Sequence, residues 1–316
     1  MSAPLVSVCI LTCNHERYIS DCIMSAVAQA NDVALEILVG DDCSEDGTSD
    51  IVRSLAERFP DLIRHFRHET RQVGKNYQFL IGLAQGEYIA HLDGDDFWLP
   101  GKLIRQIRVL ESAPEIAACY TNALCVNYAN ELLGFFNNTQ PPVMDLSYLL
   151  RRGNFLNNSS AVYRAMYKKN FVERAPDYLD YAIHLFMACQ GKLAYLNIFG
   201  TGYRVASTSS LILNHGEFVR DLYWRAIYEV PENEVVGNCK LWAEADFLRR
   251  VFFRSVRIRD FRLINKWWRL VSSNRELKLR LFVMALTSVM AVGSRELLAF
   301  IFRTLNKSSV RVIYWR

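Results

Sequence analysis

Apolar runs and helix-spaced patterns take turns through the first 120 residues, and this alternation constrains the fold more than any other feature. Val6 to Leu11 reads as a strand, His15 to Gln29 as a helix with Ile19, Ile23, Ala26 and Val27 on one face, and Leu35 to Gly40 as a second strand. Asp46 to Phe59 has helical spacing at Ile51, Val52, Leu55 and Phe59, with Asp46 as its cap. A short strand at Leu62 to Phe66, a helix at Asn76 to Ala84, a strand at Tyr88 to Leu92 and a helix at Lys102 to Leu110 continue the series. Apolar strands joined by helices imply an α/β class chain with a doubly wound, mostly parallel sheet covered on both faces.

Ligands of such sheets bind outside the carboxyl ends of the strands. The fourth strand runs straight into Asp93-Gly94-Asp95-Asp96. Carboxylates this close repel one another, and a bound divalent cation with open positions compensates them while clamping a diphosphate. The same acids also fit a helix start, with Asp96 as N-cap before Pro100. A dinucleotide dehydrogenase shares the alternation, but the turn after the first strand is Thr12-Cys13-Asn14-His15-Glu16 and holds no GxGxxG.

Three ordered segments carry a resemblance that covers most of residues 4 to 210. They are Val6-Ser7-Val8-Cys9-Ile10-Leu11-Thr12-Cys13-Asn14, Leu38-Val39-Gly40-Asp41-Asp42-Cys43-Ser44-Glu45-Asp46-Gly47-Thr48, and Gly86-Glu87-Tyr88 leading to Asp93-Gly94-Asp95-Asp96. Together the chain resembles the family 2 glycosyltransferases of GT-A fold, of the inverting, bacterial surface-polysaccharide type. That resemblance implies a nucleoside diphosphate sugar donor, UDP foremost, with Thr12, Asn14, Asp42 and Asp93 on the nucleotide. It also implies Mg²⁺ or Mn²⁺ held by Asp95 and Asp93, with Asp95 as the more direct ligand. The acceptor is a saccharide or a lipid-linked saccharide.

Residues 121 to 210 hold the acceptor side in this reading. Leu156 to Arg164 reads as a strand entering a helix and is similar to the family's acceptor-lining segment, which brings in Arg164. The family carries its general base in the first turn of the helix matching Asp177 to Phe186; Asp180 fits best and Asp177 is the reserve. As structure alone, Asp180 is also a dipole-favoured acid in a helix first turn. Gly202-Tyr203-Arg204-Val205-Ala206 resembles the family's Tyr-Arg-x-His segment with Ala206 for histidine, so Arg204, with Asp96, falls on the acceptor or diphosphate side. Cys13 stands where the family often has a tyrosine to lie on the base. Of the histidines, His91 reads as an interior residue, and His65 and His68 as loop residues. A sugar nucleotidyltransferase is the enzymatic rival, but its glycine-rich basic loop is missing; a non-catalytic sugar-nucleotide-binding or scaffold protein is the other.

Charge divides the chain. Sixteen Lys and Arg against three acids from Arg249 onward give that segment +13, which leaves −9 for the preceding residues of a chain at +4 overall. The expected organisation is a GT-A domain over 1–210 and a helical basic extension over 211–316. In the extension, Lys266-Trp267-Trp268-Arg269 and the apolar run Leu281 to Gly293 suit an anionic membrane surface or a helical cap on the sheet. The run is shorter than the about 20 residues of a membrane span. No nucleic-acid motif accompanies the basic residues, so no nucleic acid is expected. Eight cysteines without CxxC or zinc spacing, and no signal-peptide pattern, point to the cytoplasm and leave the sequons at Asn137, Asn157, Asn158 and Asn306 without meaning.

Overall fold

The computed structural model describes residues 5–72, 75–169, 179–205, 216–273, 278–305 and 311–314. The first part follows the alternation in the sequence: β1 (Val6–Thr12), α1 (Ile19–Val27), β2 (Leu35–Asp41), α2 (Thr48–Arg58), β3 (Ile63–Arg67), α3 (Lys75–Leu83), β4 (Tyr88–Asp93). After the short β5 (Phe97–Trp98) come α4 (Lys102–Ser112), β6 (Ile116–Val126), β7 (Leu132–Asn137), β8 (Val143–Met144) and α5 (Leu146–Arg152). Then follow β9 (Val162–Arg164), α6 (Asp180–Gln190), β10 (Lys192–Arg204), α7 (Gly216–Tyr228), α8 (Cys239–Ile258), α9 (Arg262–Ser272), α10 (Lys278–Leu305) and β11 (Arg311–Tyr314).

The main path of the sheet runs β11-β7-β6-β9-β4-β1-β2-β3, with β10 joined to β6, β5 and β8. Strands β1, β2, β3 and β4 are parallel, whereas β9 lies antiparallel between β4 and β6. Chain order reverses at β1, because β2 pairs on one side and β4 on the other. A crevice opens at such a reversal, and the carboxyl ends of β1 and β4 border it.

Period-two alternation sorts the strands into two cores. Val8, Ile10, Ile37, Val39, Ala90 and Leu92 face α1, α2 and α4, while Cys9, Leu38 and Ile89 face α3 and the later helices. The second core is continuous from the sheet out to Trp267 on α9 and Leu281 on α10. The inner faces of these basic helices therefore do cap the sheet, and their outer faces stay exposed.

Several local expectations need correction. The first helix starts at Ile19, because residues 15–18 form a turn whose backbone is tied to the next loop. Residues 156–164 are not strand throughout: a 3-10 turn at Asn158–Ser160 comes first, and the strand is confined to Val162–Arg164, which then leads into a helical turn at Ala165–Tyr167. His65 lies on β3 and not on a loop; His68 contacts Asn76 Oδ1 at 3.0 Å. The tail is not all helical, since Arg311–Tyr314 adds a strand parallel to β7. Asp177 and Ala206 lie outside the described residues.

Candidate functional site

The loops after β1 and β2 are laced together. Asn14 takes a left-handed backbone at φ 57°, which frees its side chain to accept from Glu45 N at 2.8 Å while its own N donates to Ser44 Oγ at 3.0 Å. His15 N donates to Thr48 Oγ1 at 2.8 Å, and the Asp46 carboxylate accepts from Glu16 N and Thr48 N. Buried Asp41 accepts from Ser44 N at 2.9 Å. Asp42 N donates to the Thr12 carbonyl, and one Asp42 oxygen accepts from Gln72 N. Thr12 and Asp42 thus flank one crevice end, held by backbone bonds. The Cys13 thiol donates to the Asp42 carbonyl at 3.3 Å.

The acid turn sits directly on this platform. Gly94 N donates to the Leu11 carbonyl at 2.7 Å, and a Cβ on Gly94 would stand 2.8 Å from Thr12 Cβ and His15 Nδ1. Only glycine fits such an approach. The three carboxylates have different fates. Asp93 keeps 40% of its side chain exposed and accepts from His91 Nε2 at 3.0 Å. Burial works against its charge, yet His91, His15 and Ser159 together hold the carboxyl below the usual range. Asp95 has no side-chain hydrogen-bond partner among the described residues.

Asp96 is 1% exposed, and both its oxygens are engaged: Ser159 Oγ donates to Oδ2 at 2.6 Å and Arg204 N to Oδ1 at 2.9 Å. Burial first, then the charges of Asp95 and Asp93, push its carboxyl well above the usual carboxylate range. Asp96 is thus an interior anchor of the acid turn, and not a helix cap, since α4 follows Gly101.

Arg204 is also inward. Its guanidinium donates to the Asp95 carbonyl and to Asn130 Oδ1 at 2.8 Å, and lies 4.5 Å from the Tyr18 ring centroid. With Arg17, Tyr18, Asp21, Tyr128 and Asn130 it lines an open cleft of about 290 Å³ beside the acid turn. Arg164 is a correction. It pairs with Tyr88 at the opposite end of β4, and its guanidinium donates to the carbonyls of Ile116 and Ala113 at 2.9 and 3.2 Å. It ties α4 to β6, far along the strand from Asp93.

Asp180 opens α6, where its carboxylate accepts from Asn154 Nδ2 at 3.0 Å and from Tyr181 N at 2.8 Å. Burial raises its pKa against both hydrogen bonds, and the Asp93 charge adds to the rise. Asn154, Asn157 and Asn158 each keep a buried amide oxygen with no partner among the described residues. Buried amide oxygens without partners are costly unless water or a ligand hydroxyl meets them.

Sequence reasoning missed Ser159, Asn154 and the contact of His91 with Asp93. Ser159 receives Asp93 N at 3.1 Å while donating to Asp96, so one hydroxyl fixes both ends of the acid turn. The run Asn157-Asn158-Ser159-Ser160 was a polar signal within an apolar stretch, but its partners are more than sixty residues away.

The donor chemistry of Asp93 and Asp95 suits a divalent cation. Among the described residues no three His, Cys, Asp or Glu side chains cage an ion. Mg²⁺ and similar hard ions are commonly held by one or two carboxylates, with water and substrate phosphates completing the shell. Asp95, with its unengaged carboxylate, and half-exposed Asp93 supply that donor set.

Residues 7–141 match the family model described as Glycosyl transferase family 2. An uncharacterized protein of Mycobacterium tuberculosis is 31% identical over 198 residues, which is 60% of this chain and 56% of that relative. The chain thus spans little more than half the length of that curated relative. WfaP of Escherichia coli, a UDP-Glc:alpha-D-GlcNAc-diphosphoundecaprenol beta-1,3-glucosyltransferase, is 28% identical over 217 residues, 68% of this chain and 83% of its own length. Among solved structures, S. aureus TarS 1-349 in complex with UDP superposes with a TM-score of 0.61 at 16% identity, covering 90% of this chain and 88% of that one. At that identity the likeness shows the fold, which is GT-A.

Proposed function

We propose that this chain, which belongs to glycosyltransferase family 2, transfers a sugar from a nucleoside diphosphate sugar to a hydroxyl of a saccharide or lipid-linked saccharide, working in the cytoplasm. The observation that carries the reading is the acid turn at the crevice, where Asp93 keeps 40% of its side chain exposed, together with a second, separate carboxylate, Asp180, at the start of α6. The donor of choice is a UDP-sugar, which the UDP-sugar named for WfaP and the UDP bound by TarS support. The lipid-linked acceptor named for WfaP supports the acceptor class.

In this reading Thr12, Asn14 and Asp42 receive the nucleoside at the ends of β1 and β2. Asp95, assisted by Asp93, would hold Mg²⁺ or Mn²⁺, whose positive charge would stabilise the departing diphosphate. His91 and Ser159 keep Asp93 aimed, and Asp96 with Arg204 keeps the turn closed beneath Asp95. Asp180 takes the proton of the acceptor hydroxyl as that oxygen bonds to the anomeric carbon. A base whose pKa is raised toward the working pH accepts a proton more readily than an ordinary aspartate. One base and no covalent intermediate make a single displacement, with inversion at the anomeric carbon. The unpartnered amide oxygens of Asn154, Asn157 and Asn158 suit recognition of acceptor hydroxyls.

The test compares wild type with Asp180→Asn using UDP-sugars, acceptor saccharides and Mn²⁺. Donor affinity is expected to persist while transfer falls by roughly two to four orders of magnitude. Full transfer by the variant, or retention of anomeric configuration in the wild-type product, overturns the assignment.

A further inference from the structure

The outward face of α10 is apolar where a solvated helix would be polar. Leu279, Phe282, Val283 and Leu286 recur at helical spacing, and Leu279 and Phe282 expose 76% and 51% of their surface. The opposite face is already used, since Leu281 is fully buried in the core. A second apolar group lies at the end of α8, against which α10 packs: Val256, Ile258 and Phe261 are exposed beside the exposed cations Arg257 and Arg259. Isolated exposed apolar residues need no explanation, but contiguous stripes rimmed by charge mark interaction surfaces.

We infer that this face lies flat on an anionic lipid surface, with the stripe immersed and the cations at headgroup level. Three observations choose this occupant. Exposed Lys278 and Arg280 adjoin the stripe, and the segment from Arg249 onward carries +13, which complements anionic headgroups. A second copy of the chain would bring two +13 segments face to face, so self-association through this stripe is opposed by charge. Among the described residues no helix is long and apolar enough to cross a membrane, so the stripe has its use at the interface and not through it. Tryptophan at the boundary fits as well: Trp268 stands edge-on to Phe282 with ring centroids 5.9 Å apart.

The proposal goes beyond sugar transfer and is read without any donor, so either can fail alone. The full chain is sedimented with vesicles of phosphatidylcholine alone and with vesicles containing phosphatidylglycerol, at low and high salt. Wild type is expected in the pellet only with phosphatidylglycerol, and largely released by high salt. L279D/F282D/L286D should remain in the supernatant, and K278E/R280E should lose most of its binding, both with wild-type melting and UDP affinity. Wild type left in the supernatant with anionic vesicles overturns the proposal, as does equal sedimentation of both variants with wild type. A wild-type dimer that L279D/F282D/L286D turns into a monomer gives the face to a second copy and overturns it too.

Discussion

Asp95 and Asp93 stand two residues apart, yet the same substitution should act differently on them. The Asp95 carboxylate has no side-chain partner among the described residues, so Asp95→Asn should remove the proposed cation ligand and leave the fold alone. Isothermal titration of UDP should show that Mn²⁺ no longer tightens binding to this variant, with stability within about 0.5 kcal/mol of wild type. Asp93→Asn should weaken the cation effect less and cost some stability, because His91 and Ser159 lose a charged partner. An undiminished cation effect in Asp95→Asn would put the ion elsewhere. Asp180 offers a second residue-level prediction. A general base works unprotonated, and burial raises the pKa of this carboxyl, so transfer should fall with decreasing pH at a point above the ordinary Asp value of about 3.9. The hydrogen bond from Asn154 favours the charged form. Asn154→Ala should therefore move that acid limb to higher pH with little change in donor KM, and an unmoved limb in the pH–rate profile would remove Asn154 from this role.

At the scale of elements, α4 begins with an unusual buried cation. Lys102 is 1% exposed, its ammonium lies 4.1 Å from the Trp98 ring centroid, and Nζ has no hydrogen-bond partner among the described residues. Burial lowers its pKa to about 7. A lysine held less basic in the fold than in the unfolded chain contributes stability that is present above its unfolded pKa of 10.5 and lost as pH falls toward 7. Lys102→Met should thus raise stability near pH 7 by roughly 2–4 kcal/mol in urea unfolding, and change little above pH 10.5. Equal stability of the two proteins at pH 7 would show that the cation is compensated in the fold. The parallel strands and their helices were legible in sequence because β1, β2 and β4 are largely apolar runs and each helix has its own apolar spacing, although β3 carries Arg64, His65 and Arg67 beside its two apolar residues. Proposed ligands at strand ends could be named on the same ground, since position along the strand fixes which end a residue occupies. Arg164 and Asp96 show the limit of that ground: closeness to a motif does not say which way a charged side chain turns, and both turn inward to backbone or hydroxyl partners. Ser159 and Asn154 were invisible because their importance lies in bonds to residues distant in sequence.

Over the whole molecule the acidic body and basic tail share one core. Trp267 is 2% exposed and meets Phe247 at 4.9 Å between ring centroids, joining α9 to α8 and through it to the sheet. We therefore propose that residues 1–210 and 211–316, different as they are in charge, unfold together. Trp267→Ala should cost about 3–5 kcal/mol and lower the midpoint of a single calorimetric transition. Two separated transitions, with only one shifted, would make the tail an independent unit. Cutting the chain at residue 260 is accordingly a poor probe of membrane contact, since it strips Trp267, Val271 and Leu281 from the core.

Metal-assisted sugar transfer from a nucleoside diphosphate sugar is the proposed activity. It is tested most directly by incubating the purified full chain with UDP-sugars, Mn²⁺ and saccharide or lipid-linked saccharide acceptors and identifying the small-molecule product. Acceptor-dependent release of UDP, abolished by chelation of the cation, is expected. Release of inorganic diphosphate, or donor binding without any acceptor-dependent UDP, would contradict it.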